Sequence, residues 1–61
     1  MTLQGAIQKA QRLARNKGKE YWIVYEDPNE GFQVGNDIDM DTYYRGIEPV
    51  AYVSKNGEIE Y

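Results

Sequence analysis

Three carboxylates stand at alternate positions in Asp37-Ile38-Asp39-Met40-Asp41, and a fourth, Glu48, follows seven residues after Asp41. Oxygen donors grouped in this way are the ligands that hard divalent cations take. Two further groups of side chains suit surface chemistry. Trp22, Tyr43, Tyr44 and Tyr52 offer broad, amphipathic contact area. Lys9, Arg12, Arg15, Lys17 and Lys19 form a run of cations that phosphates would attract. Catalysis has no comparable carrier. The ten carboxylates supply many chance pairs and no distinctive one. The chain has no histidine and no cysteine, and it contains neither a Gly-x-Ser-x-Gly elbow nor a phosphate-binding or dinucleotide-binding glycine loop. Nucleophilic and cofactor chemistry therefore lack their usual residues, as do disulfides and zinc sites of the Cys/His kind. The expectation is a protein that is not an enzyme and holds no cofactor or metal.

Residues 37 to 48 nonetheless resemble a degenerate EF-hand calcium loop, with Asp37 in the first position and Glu48 in the twelfth. The resemblance covers twelve residues and departs from the pattern at decisive points. Thr42 stands where glycine makes the sharp turn. Pro49 follows the would-be bidentate Glu48 and blocks an exiting helix, and no entering helix precedes Asp37. The same residues also admit a structural reading, which the pattern favours: Asp39 or Asp41 caps a short helical turn through Tyr43-Tyr44-Arg45, closed by Gly46. Tyr43 and Tyr44 then face different directions, one inward and one outward.

The elements that must position these residues follow from periodicity. Leu3, Ala6, Ile7, Ala10, Leu13 and Ala14 recur at the spacing of one helical face, which predicts an amphipathic helix over about 3–17. Thr2 is the expected N-cap, and Asn16-Lys17-Gly18 the expected stop. Small side chains at Ala6, Ala10 and Ala14 let that helix approach a sheet closely. Tyr21-Trp22-Ile23-Val24-Tyr25 is an unbroken run of β-formers, and the turn residues Asp27-Pro28-Asn29-Glu30-Gly31 make residues 20–35 a hairpin. Asn56-Gly57 between two alternating runs predicts a second hairpin over about 49–61, with a linker over 36–48. The predicted fold is a single two-layer α+β domain: one N-terminal helix on an antiparallel sheet of three to four strands, in the order α-β-β-β-β.

Charge divides along the chain. Residues 1–20 carry five cations against Glu20, a net of +4, whereas residues 21–61 carry Arg45 and Lys55 against nine carboxylates, a net of −7. A strand that is apolar on both sides adds a second constraint, because a single helix covers only one of them. Either the linker folds back or a second molecule covers the other side, and the small core that 61 residues can build favours a homodimer. No apolar stretch approaches the ~20 residues that span a bilayer, and no export signal is evident, so a soluble, cytoplasmic protein is expected.

Function is expected to reside in the acidic, aromatic surface. Trp22, Tyr43, Tyr44 and Tyr52 are the expected contacts to a protein partner, with Asp37, Asp39 and Asp41 steering it electrostatically. In size and charge the chain resembles the small acidic accessory and inhibitor proteins of phages and prophages, which implies a larger basic partner. The alternative is nucleic-acid binding through Lys9, Arg12, Arg15, Lys17 and Lys19, which the net charge of −3 opposes.

Overall fold

The computed structural model describes residues 1–61. Helix α1 spans Leu3–Lys17 and begins as its sequence dictates. The Thr2 hydroxyl accepts from the Gly5 N–H at 3.1 Å. It ends on Gly18, whose left-handed φ of 64° turns its N–H onto the Ala14 carbonyl. Ala6, Ala10 and Ala14 are wholly buried, so the helix meets the sheet along its alanine stripe, with Leu3, Ile7 and Leu13 packed at its margins.

Strands β1 (Tyr21–Asp27), β2 (Gly31–Gly35), β3 (Ala51–Val53) and β4 (Ile59–Glu60) form one antiparallel sheet in the order β2-β1-β3-β4. The two-layer fold read from the sequence is therefore correct. Alternation assigns the two faces. Tyr21, Ile23, Ala51 and Val53 pack against the alanine stripe, with Phe32, Val34 and Ile59 around them. Ile23, Val24 and Val53 are the largest fully buried side chains, each contributing about 1.5–3 kcal/mol through removal from water.

The hairpins close by different means. Asp27 accepts from the Glu30 N–H at 2.6 Å, and Gly31 takes a φ of 70°. The Met1 carbonyl then accepts from the Phe32 N–H at 2.9 Å, so the segment before α1 lies along the outer edge of β2. In the second hairpin only Gly57 has positive φ, while Asn56 does not. That excludes the type I′ turn, which requires positive φ at both central residues. Instead the Gly57 N–H returns to the Ser54 carbonyl, and the Ser54 N–H donates to the Glu58 carbonyl, both at 2.8 Å.

The expected linker contains a second helix, α2 (Asp37–Asp41). Its cap is Asn36, a correction to the assignment of that role to Asp39 or Asp41. Asn36 Oδ1 accepts from the Asp39 N–H at 2.8 Å, and Asp39 Oδ2 accepts from the Asn36 N–H at 3.2 Å, a reciprocal capping box. The helical turn therefore lies over 37–41, ahead of Tyr43-Tyr44-Arg45, and tight turns carry the chain on to Gly46 at φ 86°.

Candidate functional site

The sheet face opposite α1 carries a row of side chains set by register. Trp22 is paired with Gly35 on one side and Tyr52 on the other, and Tyr52 is paired with Glu60. The Trp22 and Tyr52 rings lie 5.5 Å apart, tilted by 52°, within the range where aromatic pairs attract beyond simple burial. Tyr44 occupies the place above Gly35 that a larger residue would fill. A Cβ on Gly35 would stand 3.0 Å from Tyr44 Cδ2.

Tyr44 thus covers the face that α1 cannot reach. It is only 9% exposed, whereas its neighbour Tyr43 is 73% exposed and meets it edge-on at 4.8 Å. The two tyrosines face different ways, as expected. Val24, on the same face as Trp22, is fully buried. Between the two ways of covering this face, the chain supplies the first at Val24: residues 36–48 fold back. What stays open is the neighbourhood of Trp22 and Tyr52, both half-buried.

That opening is a shallow groove of about 250 Å³ lined by Trp22, Pro49, Val50, Tyr52, Glu60 and Tyr61. The Tyr52 hydroxyl donates to Glu20 Oε1 at 2.9 Å. This bond, together with the charges of Glu20 and Glu60, holds the Tyr52 hydroxyl above the usual tyrosine range. Tyr44 is raised as well, first by burial and then by the Glu26 carboxylate beside it. Beyond Glu20 the surface becomes a polar cleft lined by Gly18, Lys19, Glu20, Asp37 and Lys55.

The expected contact residues therefore separate by role. Trp22 and Tyr52 form the floor of the groove, Tyr43 projects from the surface, and Tyr44 lies beneath it as a support, so its ring is not presented for contact. Asp37 and Asp41 are exposed on α2, whereas Asp39 is half-buried and spends its carboxylate on the cap. No set of three or more carboxylates converges at metal-binding distance. The helical path of residues 37–41 replaces the looped path that an EF-hand needs.

Three of the four cations of α1 share its outer face, and Lys17 does not. Lys9, Arg12 and Arg15 step round the outer side over about 120° at 3.6 residues per turn. Lys17 falls on the line of Ala10, one turn past Ala14. Arg15 is also committed within the fold, because its side chain lies over Gly57, where an added Cβ would meet Nε at 2.5 Å. Gln11 Nε2 binds the Gly57 carbonyl at 3.0 Å, so the helix clasps the second hairpin at its turn.

Sequence reasoning missed Glu20 as the partner of Tyr52, and Pro49 and Val50 as groove residues. Strand parity was the available signal for Glu20, since it stands two residues before Trp22. Nothing in the local pattern marked Pro49 or Val50. No helix is long and apolar enough to cross a membrane. No family model, curated protein or solved structure matches the chain.

Proposed function

We propose that this chain is a non-catalytic, cytoplasmic protein-interaction module, of the accessory or inhibitor type made by phages and prophages, that binds a larger basic protein through the Trp22–Tyr52 face. The observation that carries the reading is an open apolar groove floored by two touching aromatic rings and flanked by Glu20 and Glu60. Aromatic floors supply contact area at low entropic cost, and the carboxylates around them select positive partners and speed encounter. A foreign partner suits this face better than a second copy. Face-to-face pairing of two copies would gather the Glu20 and Glu60 carboxylates of both copies in one interface, which like-charge repulsion opposes.

The test is affinity capture from the native host with three baits: wild type, Tyr52→Ala and Tyr43→Ala. A basic protein retained by wild type, lost with Tyr52→Ala and eluted by raised salt supports the proposal. Capture that is indifferent to Tyr52→Ala, or of an acidic protein resistant to salt, refutes it.

A further inference from the structure

The sheet has two edges, and they differ. The outer edge of β2 is occupied at Phe32, whose N–H reaches the Met1 carbonyl. The outer edge of β4 is followed by no strand. Hydrogen bonding alternates along an antiparallel pair. Because the Ser54 N–H donates to the Glu58 carbonyl just beyond the β3–β4 ladder, in which Tyr52 is paired with Glu60, Glu58 and Glu60 turn their backbone groups toward β3. Ile59 between them turns its N–H and C=O outward.

Grooves flank this edge on both faces. On the side of α1 an open flank is lined by Leu3, Gln4, Ile7, Gln8, Gln11 and Tyr61. On the other face lies the Trp22–Tyr52 groove, and Tyr61 belongs to both. Leu3 and Ile7 along this flank are only half-buried.

We infer that β4 is a strand-addition site for an extended segment of the partner, in which apolar and basic residues alternate. The inference rests on the functional reading above and adds the conformation of the ligand. A strand laid beside β4 bonds to the outward N–H and C=O of Ile59. Its side chains alternate between the two faces. Those on the α1 side meet Leu3 and Ile7 and must be apolar. Those on the other side lie beside Glu58 and Glu60 and are favoured when basic. The same charges decide against the most available competitor, another copy of β4, which would bring glutamates opposite glutamates. The short acidic edge thus rejects its own kind while remaining open to a cationic strand.

The test uses the intact protein and a blocked eight-residue peptide alternating lysine and valine. A control has the same composition in two blocks, and two further versions carry backbone N-methyl groups on one or the other set of alternate residues. Calorimetry measures affinity, and hydrogen exchange reports the Ile59 amide. Support is a preference for the alternating peptide over the block control, at least tenfold weaker binding by one of the two N-methylated versions, and slower exchange at Ile59. Equal binding by all four peptides with unchanged exchange at Ile59 overturns strand addition while leaving a charge-guided groove intact. If no peptide binds at millimolar concentration while capture of a basic protein still depends on Tyr52, strand addition fails and the functional reading survives. If that capture fails as well, both fall.

Discussion

Gly35 and Tyr44 are in such close contact that a single methyl group on the glycine would stand 3.0 Å from Tyr44 Cδ2 and 3.2 Å from Cε2. The ring is buried and met edge-on by Tyr43 at 4.8 Å, so it has little freedom to withdraw. Gly35→Ala is expected to destabilise the fold by about 1–3 kcal/mol through overpacking. In a domain of this size, each kcal/mol lowers the melting temperature by roughly 4–8 °C. Tyr44→Ala should cost about 3–5 kcal/mol, the range for emptying a large aromatic site, whereas Tyr43→Ala should stay within about 0.5 kcal/mol. Thermal unfolding of the three variants checks the ordering, and equal effects at 43 and 44 would contradict the role given to Tyr44.

The Tyr52 hydroxyl and Glu20 link the groove to pH. Tyr52 holds its proton more tightly when folded, chiefly because it donates to Glu20. Burial, first among the causes, does the same for Tyr44. For both, the folded pKa lies above the unfolded one. The stability tied to the protonated form is fully present below the ordinary tyrosine pKa and is lost as pH rises through the folded value. Stability should therefore fall on the alkaline side, above about pH 10. Glu20→Gln removes the charge and weakens the acceptor, so the Tyr52 titration should move down toward the ordinary tyrosine range. Tyrosinate absorbance against pH measures it, and an unmoved curve would separate Tyr52 from Glu20.

Arg15 and Gly57 are coupled across the helix and the second hairpin. Gly57→Ala introduces a Cβ 2.5 Å from Arg15 Nε at a φ of 87°. The backbone conformation alone should cost about 1–2 kcal/mol, and displacing the guanidinium adds to it. In an Arg15→Ala background the same change should cost less, yet still more than zero, since the φ penalty remains. A double-mutant cycle by denaturant unfolding reads the difference. A coupling energy of zero would mean that Arg15 leaves Gly57 freely.

Calcium is expected to leave the protein unaffected. Asp37, Asp39 and Asp41 follow a helix whose cap consumes the Asp39 carboxylate. Calorimetric titration with calcium chloride should give a flat trace, and Asp39→Ala should instead lower stability by about 0.5–1.5 kcal/mol through loss of the reciprocal bond to the Asn36 N–H. A saturable calcium signal would reverse this assignment.

Most of the fold was legible because its signals are local. The alanine stripe, Thr2 and Gly18 define α1 within a span of seventeen residues. The runs on either side of Asp27–Gly31 and of Asn56-Gly57 define the hairpins. Helix α2 was hidden by its own composition, since Asp37-Ile38-Asp39-Met40-Asp41 alternates with the period of a strand. The informative pair was Asn36 and Asp39, whose spacing of three allows reciprocal capping. At the candidate site, Trp22 and Tyr52 were singled out by residue type alone, and their adjacency follows from the β1–β3 register, which joins positions thirty apart. The clasp of Gln11 on Gly57 spans 46 residues and leaves no trace in either local pattern.

That β1–β3 seam runs through the middle of the sheet, so the centre of the molecule joins segments about thirty residues apart. A nascent polypeptide holds α1, the first hairpin and α2 well before Ala51 and Val53 exist to sit beside Ile23 and Tyr21. Until Val53 has been added, the alanine stripe faces an unfinished wall. A truncation ahead of Ala51 is therefore expected to leave the alanine stripe uncovered and the protein unfolded.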